Sequence, residues 1–358
     1  MFRIISEGDV FATTEDCATS GPRCAVLPDG RVVCTFMINS FGGANDFVPM
    51  IAVADKDLNF GNAEKLWQEL EGKESLFGSV RLGSDGRYSF AGQVFPIDCP
   101  GEAFWSDEAM GMKENRVFYS LSGDGIHFPL PTELDLPYYA SAEQPGGMLT
   151  EKDGSLTMVY APYPTIEKRE AVDNGCIVML RSTDGGKTFE PLKFGSVEED
   201  SQYGESWIVR LADGRLFVST WQTASEDSTR YFISDDNGES FKGPFSQPFR
   251  GQSTGAYACD DGSVLIAYNQ RKHGDIGVWL AQEKFSGDGS YELLYNECVW
   301  FAETATKKGD STDFGGWTDF SFGEPSVTVL PDGTVLVVLW YKQGDVNGVR
   351  YIRLEKNK

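Results

Sequence analysis

Short apolar runs recur along the whole chain, and most of them occur in pairs separated by an Asp-Gly dipeptide. The repeated unit is an apolar strand, a turn and a second apolar strand. Its six copies span residues 20–36, 77–92, 145–160, 204–221, 253–268 and 323–341. Asp-Gly between two apolar runs is a strong hairpin signal, because both residues can adopt the positive φ of a tight turn. The pattern therefore predicts a chain of repeated β-hairpins.

The spacing of the turns indicates how these hairpins are arranged. The turn glycines are Gly30, Gly86, Gly154, Gly214, Gly262 and Gly333. Successive glycines are 48 to 71 residues apart, which is enough for four short strands in each repeat. Four-stranded repeats of this kind are typical of propeller blades. We therefore predict an all-β protein in which residues 1–358 form a single domain, a six-bladed β-propeller.

The two ends of the chain are expected to close the ring together. A ring that stayed open between its first and last blades would have a weak seam and an exposed strand edge. Residues Phe2–Phe11 are therefore predicted to form the outer strand of the blade that contains residues 323–354. A helical pattern is not sustained anywhere except over residues 62–72, which would be a short surface segment.

A second motif, S-x-D-x-G-x-[ST]-F, lies between the hairpins. It occurs at residues 182–189 and 234–241, with a shortened copy at 122–128 and a degenerate copy at 55–60. In such a turn an Asp accepts backbone amides and a Gly takes the left-handed conformation. These segments resemble the Asp-boxes (BNR repeats) of the sialidase superfamily, and the hairpins resemble its inner strands. The resemblance covers nearly the whole chain and implies a sialidase-like propeller.

In that family the Asp-boxes lie on outer turns, far from the binding pocket. The resemblance therefore implies that Asp184 and Asp236 have a structural role.

Charge and composition narrow the classes of partner. The formal net charge of −23 disfavours nucleic acid as a partner, because a strongly acidic surface repels polyphosphate. No run of residues is long and apolar enough to predict a membrane span. Aromatic residues make up 13% of the chain and glycines number 40, which suits strands joined by many tight turns.

Cysteine usage suggests a reducing compartment. The seven cysteines are odd in number and include no CxxC pair, so neither a zinc site nor a disulfide framework is expected. A cytoplasmic location is the simplest interpretation, although a secreted protein without its leader would look similar. No cofactor is expected, and the oligomeric state is not predicted.

The candidate chemistry lies where each inner strand begins, because inner strands line the central funnel of a propeller. Nine residues before each turn glycine, the six repeats place Gly21, Phe77, Pro145, Glu205, Ser253 and Glu324. Glu205 and Glu324 are therefore the first candidates for catalytic groups. Glu143, close to the third of these positions, is a weaker candidate that we assign to substrate binding.

The resemblance gives these positions further meaning. In sialidases a Glu of the fourth blade polarises a Tyr nucleophile of the sixth, and Glu205 matches that Glu by register. The matching sixth-blade residue here is Glu324 instead of Tyr. The family's acid/base Asp follows the first hairpin, where residues 39–47 contain Asp46. The resemblance thus implies Asp46, Glu205 and Glu324 as the catalytic set.

The arginines that hold the sialic acid carboxylate in this family are matched poorly. Arg23 lies one residue past Pro22, which by strand alternation predicts that it points to the opposite side of the strand. Trp221 occupies the position of the fourth-blade arginine. Arg23 is nevertheless kept as a candidate for substrate binding, and Arg271 and Arg350 remain as possible single contacts. Sialic acid is therefore not the expected substrate.

Aromatic side chains near the expected mouth of the funnel could stack on sugar rings, although each could equally pack between blades. They are Trp105, Trp207, Trp221, Trp317 and Tyr341.

Three functions remain open at this stage. The first is a glycoside hydrolase that removes a terminal sugar from an oligosaccharide with a pair of carboxylates. The second is a polysaccharide lyase, which would require Arg271, His273 and Tyr341 to converge. The third is a glycan-binding protein without catalytic activity.

Overall fold

A computed structural model describes residues 2–167, 172–196, 202–223, 229–271, 274–302 and 320–356. Within these ranges the chain is built almost entirely of strands, with one 3₁₀ helix at Gln68–Leu70. The strands are β1 (Phe2–Thr13), β2 (Ala18–Val26), β3 (Val32–Asn39), β4 (Val48–Ala54), β5 (Glu64–Lys65), β6 (Glu74–Leu82), β7 (Tyr88–Pro96), β8 (Trp105–Ser106), β9 (Gly111–Met112), β10 (Arg116–Ser122), β11 (Thr132–Leu134), β12 (Ser141–Glu143), β13 (Met148–Thr150), β14 (Leu156–Tyr163), β15 (Ile177–Ser182), β16 (Glu190–Phe194), β17 (Gln202–Arg210), β18 (Leu216–Thr223), β19 (Arg230–Ser234), β20 (Lys242–Ser246), β21 (Gln252–Ala258), β22 (Val264–Gln270), β23 (Gly277–Phe285), β24 (Tyr291–Phe301), β25 (Phe322–Val329), β26 (Val335–Gln343) and β27 (Val346–Lys356).

These strands form six antiparallel sheets that are the blades of a propeller, as the hairpin spacing predicts. From the inner to the outer strand, the blades are β2-β3-β4-β5, β6-β7-β10-β11, β12/β13-β14-β15-β16, β17-β18-β19-β20, β21-β22-β23-β24 and β25-β26-β27-β1. Inner strands of successive blades contact one another around the ring. Apolar side chains between neighbouring blades form separate core clusters.

The ring closes through both ends of the chain. Strand β1 pairs antiparallel with β27 from Phe2↔Lys356 to Thr13↔Asn347 and is the outermost strand of the sixth blade. This confirms the closure predicted for Phe2–Phe11.

The short helix at Gln68–Leu70 lies in the segment where the sequence allowed a helical turn. Among the residues described, no helix has the length and apolar character that crossing a membrane requires.

The six Asp-Gly turns share one geometry, which differs from the expected one. In the first turn the Gly30 amide donates to Leu27 O at 2.9 Å, and only the glycine has a positive φ, of 83°. This is a three-residue hairpin turn with a left-handed glycine, so the expectation of positive φ at both residues is wrong. Asp29 instead accepts the Arg31 amide at 3.0 Å. The corresponding Asp does the same in the other five turns.

Replacing a turn glycine by alanine at a position with open space around it measures the cost of the left-handed backbone without any steric clash. Gly214 has φ 92°, and a Cβ added there would meet nothing within 4 Å. The substitution Gly214→Ala is therefore expected to lower the free energy of unfolding by about 1 kcal/mol through strain alone. Urea unfolding measures this difference. Gly123→Ala, at an equally open position without positive φ, is the control and should change stability little; equal losses in both variants would contradict the assignment.

The S-x-D-x-G turns lie at the other end of the blades from the inner-strand entries. Asp184 accepts the amides of Lys187 at 2.9 Å and Thr188 at 3.0 Å. Ser182, which begins this turn, pairs with Leu156 beside the third hairpin turn. In the second full copy of the motif, hydrogen bonds from Ser240 lower the pKa of Asp236 to about 2. These carboxylates organise their own turns.

Candidate functional site

Four of the six inner strands contain the same irregularity at the position nine residues before the turn glycine. Gly21, Glu205, Ser253 and Glu324 have φ values of 55°, 49°, 52° and 46°, respectively. At each of them the ladder to the next strand is interrupted by a bulge. Left-handed backbone at a residue other than glycine costs about 1–3 kcal/mol and is concentrated at functional sites. The bulges therefore mark blades one, four, five and six as the side of the funnel that carries the site.

The second and third blades are built differently at this position. Phe77 remains in regular register opposite Gln93. Pro145 lies in the gap between β12 and β13, where the inner strand of the third blade is broken. Glu143 ends β12 and is half-buried. The third blade thus contributes a glutamate two residues before the equivalent position.

Two of the glutamates bind the bulge of the following blade. The Glu205 amide donates to Glu143 Oε2 at 2.7 Å, and the Gly21 amide donates to Glu324 Oε2 at 2.7 Å. A carboxylate from one blade therefore satisfies the left-handed bulge amide of the next blade. This contact explains how the strained backbone of Glu205 is held, and it places Glu143 beside the predicted catalytic residue.

Glu143, Glu205 and Glu324 share one electrostatic environment. Burial, followed by the charge of Glu324, raises the pKa of Glu205 to about 7, against the opposing effects of Ser253, Arg271 and Arg23. Burial also raises the pKa of Glu324.

The pKa of Glu143 is also raised, first by burial and then by Glu205. Like charges crowded together oppose the ionisation of all three carboxyl groups, which adds to the effect of burial on Glu143 and Glu205.

Arg23 lies on the same side as the glutamates, which corrects the sequence prediction. Its Nη1 donates to Pro22 O and Glu324 O, both at 2.8 Å, and its charge acts on Glu324 and Glu205. The prediction of the opposite side assumed regular alternation along β2. The bulge between Ser20 and Arg23 inserts an extra residue, so the alternation behind it is reversed.

Arg271 supplies a second buried guanidinium. Its Nη1 donates to Gln252 Oε1 at 2.8 Å and its Nη2 to Phe322 O. The guanidinium carbon lies 3.8 Å from the centroid of the Phe320 ring. Its charge, like that of Arg23, acts on Glu205 and Glu324.

Some polar atoms in this group are buried without a hydrogen-bond partner. The Nε atoms of Arg23 and Arg271 and Oε2 of Glu205 have no hydrogen-bond partner in the described part of the protein. Both arginines are more than nine-tenths buried. Buried donors and acceptors without partners are costly, so three of them in one group mark it as a place where function takes precedence over stability.

Trp207 follows Glu205 by two residues on β17 and packs against two arginines. Its side chain is buried, with Arg23 at 5.0 Å and Arg81 at 5.4 Å from the ring centroid. Arg81 Nη1 donates to Ile208 O at 2.7 Å and so bridges the second and fourth blades. The ring is in contact with protein cations and belongs to a core cluster, an arrangement that fits packing of the interior better than sugar stacking.

Tyr163 belongs to the site but was not found from the sequence. Its buried hydroxyl is hydrogen-bonded to Glu143, and burial together with Glu143 and Glu205 raises its pKa. A Cβ on Gly204 would lie 3.0 Å from the Tyr163 hydroxyl, so only glycine leaves room for it. The Trp105 ring packs edge-on against Tyr163, with centroids 5.9 Å apart. The only sequence feature that could have pointed to Tyr163 is Gly204, which comes directly before Glu205 and leaves space for the tyrosine hydroxyl.

The remaining sequence candidates are placed as follows. Asp46 is half-buried in the loop after β3 and accepts the Ser40 amide at 3.1 Å, a contact inside its own loop. Trp221 pairs with Gly204 and is therefore next to Glu205. Trp317 lies outside the described residues.

Tyr341 does not join Arg271 at the site. It is buried in the sixth blade, and its hydroxyl hydrogen-bonds Asp9 at 3.0 Å on the outermost strand. His273 lies outside the described residues. The convergence that a lyase would require is therefore not present between Arg271 and Tyr341. Over the described ranges, no group of three or more His, Cys, Asp or Glu is placed to hold a metal ion.

Comparison with known proteins supports the fold. No family model matches the chain. No curated protein sequence matches it either. A protein of unknown function from Dyadobacter fermentans is a structural neighbour with a TM-score of 0.74 and 17% identity, and the match covers 99% of both chains.

Glycoside hydrolases are among the structural neighbours. The NanB sialidase of Streptococcus pneumoniae has a TM-score of 0.64 at 14% identity, over 99% of this chain and 70% of that one. The α-L-arabinanase of Penicillium chrysogenum, solved with arabinobiose, has a TM-score of 0.62 at 15% identity, over 98% of both chains. Likeness at this level of identity concerns the fold alone. The chain accordingly has the sialidase-like six-bladed propeller fold.

Proposed function

We propose that the protein is a glycoside hydrolase that removes a terminal sugar from a neutral or mildly acidic oligosaccharide. The observation that carries this proposal is the pair Glu205 and Glu324, whose carboxyl groups interact in one half-buried site while one of them has a pKa of about 7. Glycoside hydrolysis requires one carboxylic acid that stays protonated near neutral pH and one carboxylate. The fold supports the same class, since glycosidases are among the structural neighbours.

The surroundings suggest the role of each group. Glu205, whose pKa is about 7, is the general acid. Burial raises the pKa of Glu324, but Arg23, the Gly21 amide and Arg271 oppose this shift and favour its ionised form, which suits the role of carboxylate. Glu143 positions Glu205 through the bulge amide. Asp46, which the family resemblance implies as acid, is the second candidate for that role.

The reaction then proceeds as follows. Glu205 gives its proton to the glycosidic oxygen as the bond from that oxygen to the anomeric carbon breaks. The Glu324 carboxylate either bonds to the anomeric carbon or accepts a proton from the water that does so. In the first case, water later releases the sugar and returns a proton to Glu205. In the second case, Glu205 ends ionised and Glu324 ends protonated, and proton exchange with solvent restores the starting state. Either route hydrolyses one glycosidic bond.

A substrate screen tests this proposal against its alternatives. Aryl pyranosides and furanosides, including α-L-arabinofuranosides, and a set of uronate-containing polysaccharides are incubated with the wild-type protein. Release of the aryl group and a new reducing end supports hydrolysis. An unsaturated uronate product without uptake of water would indicate a lyase. Saturable glycan binding without any product would indicate a binding protein, and either result would overturn the proposal.

Sialosides are expected to be poor substrates. The sixth-blade position that is Tyr in sialidases is Glu324 here, and Trp221 stands at the fourth-blade arginine position. We expect no useful release of the fluorophore from a standard fluorogenic sialoside, with a bacterial sialidase as the positive control. Robust turnover would show that the register assigned to Trp221 and Glu324 is wrong.

A further inference from the structure

Two cysteines face each other in the inner hairpin of the first blade. Cys24 on β2 is the direct partner of Cys34 on β3. At the turn, the Leu27 amide donates to Arg31 O at 2.8 Å, which makes Leu27 and Arg31 a hydrogen-bonded pair. Hydrogen-bonded and non-hydrogen-bonded pairs alternate along an antiparallel ladder. The cysteine pair, three positions from Leu27 and Arg31, is therefore a non-hydrogen-bonded pair.

That type of pair brings the two side chains closest together. Its Cα atoms are about 4.5 Å apart in a regular ladder. A disulfide spans Cα separations of about 4.4–6.8 Å, so a bond can form without separating the strands. Both side chains point to the same face, in the cluster between the first and sixth blades. Burial, followed by contact with the Cys34 thiol, raises the pKa of Cys24.

The other cysteines lack this arrangement. In the ladders that the structure describes, Cys298 is opposite Trp279, and Cys24 with Cys34 is the only cysteine pair in register. Cys99 is exposed in a loop and serves as an internal reference for an accessible thiol. The pair was not foreseen from the sequence, because nine residues and a turn separate its members.

We propose that Cys24 and Cys34 are a redox modification site that forms an intrachain disulfide when the protein meets a low-molecular-weight disulfide such as oxidised glutathione. One thiol loses its proton and attacks the oxidant, releasing one molecule of reduced thiol. The second thiol then attacks the mixed disulfide, forming the Cys24–Cys34 bond and releasing a second reduced thiol. The protein pair is oxidised by two electrons, and the oxidant is reduced to two thiols.

The Cys24–Cys34 disulfide would form next to the candidate functional site, because Cys24 directly follows Arg23 in the chain. Arg23, whose guanidinium acts on Glu205 and Glu324, immediately precedes Cys24. Cys24 O also accepts the Thr328 hydroxyl at 2.9 Å, which ties this strand to β25 of the sixth blade. Oxidation would therefore cross-link the hairpin that positions Arg23. Because burial disfavours the thiolate, the exchange is expected to be slow and is best followed to equilibrium.

Peptide mapping of the full-length protein tests the proposal, and it does not require that a substrate be known. The reduced protein is equilibrated in glutathione buffers from reducing to oxidising, its free thiols are alkylated, and it is digested with trypsin. Trypsin cleaves after Arg23, Arg31 and Lys56, so the two cysteines fall in peptides 24–31 and 32–56. Without reductant, we expect these peptides to remain joined in the oxidised samples and to separate on reduction.

Variants identify the bond. Cys34→Ser should abolish the joined peptide, whereas Cys298→Ser, a strand cysteine opposite Trp279, should leave its yield unchanged. Circular dichroism confirms that each sample is folded. The proposal is overturned if Cys24 and Cys34 remain alkylated thiols at equilibrium in buffers that fully convert Cys99 to its glutathione adduct. It is equally overturned if Cys24 or Cys34 accumulates only as a glutathione adduct.

Discussion

The substitution Glu205→Gln is expected to lower the rate of glycoside hydrolysis by about 10²–10⁴-fold, because general acid catalysis typically contributes that much. Glutamine keeps the shape of the side chain but cannot donate the proton. Its backbone amide still binds Glu143, so the bulge should survive. The rate is measured on whichever glycoside the wild type hydrolyses, and Glu324→Gln is expected to cause a loss of similar size.

The same variant should be more stable than the wild type above neutral pH. The folded pKa of Glu205 is about 7, compared with an ordinary value of 4.5. A carboxyl group with a raised pKa leaves folding unpenalised below pH 4.5 and increasingly opposes it as the pH rises to the folded pKa. Its removal should therefore add on the order of 1–3 kcal/mol at pH 8 and little at pH 4. Thermal and urea unfolding at both pH values measure this.

A loss of rate combined with a gain in stability separates a functional carboxylate from a structural one. Glu239, a highly exposed glutamate, provides the control, and Glu239→Gln should change neither the rate nor the stability. If Glu205→Gln and Glu324→Gln both remain within a few-fold of the wild-type rate, these glutamates are not catalytic. Glycan binding would then be the better interpretation of the site.

The period of the hairpins was sufficient to predict the architecture, because an alternating pattern and a turn signal are local properties of the sequence. Six repeated turns also defined a common register, and this register identified Glu205, Ser253 and Glu324 as equivalent positions. The structure gives these three residues the same left-handed backbone. The register was thus informative even though the bulge itself was not foreseen.

The bulge accounts for what strand alternation could not predict. An extra residue at Gly21 and Pro22 turns Arg23 toward the glutamates, and nothing in a binary pattern signals that insertion. Tyr163 was missed for a different reason. It lies at the end of β14, beside Glu143 of the paired strand β12, and is influenced by Glu205 of the fourth blade, 42 positions away. The first contact depends on how strands pair within the blade and the second on how blades pack together, and local sequence carries no record of either.

A buried carboxyl group remote from this site provides the second large expected effect. Glu283 on β23 is fully buried, and no donor in the described part of the chain bonds either carboxylate oxygen. Tyr231 and Tyr268, whose pKa values are raised first by burial and further by Glu283, direct their hydroxyls elsewhere, to Gly289 O and Asn296 Oδ1, both at 2.8 Å. Burial raises the pKa of Glu283 to about 8. The side chain is therefore protonated in the folded protein at neutral pH.

Glu283→Met is expected to stabilise the protein by about 3–5 kcal/mol at pH 8, because a tenfold change in proton affinity corresponds to about 1.4 kcal/mol and methionine fills a similar volume. The ordinary pKa is 4.5, so the penalty in the wild type is absent below that pH and grows as the pH rises to about 8. Glu283→Gln should remove this pH dependence but keep a buried polar group, and so gain less. Urea unfolding from pH 4 to pH 9 gives all three curves, with Glu292→Met on the exposed neighbouring strand as the control. Parallel curves for the wild type and Glu283→Met across that range would show that the buried carboxyl group does not titrate with a raised pKa.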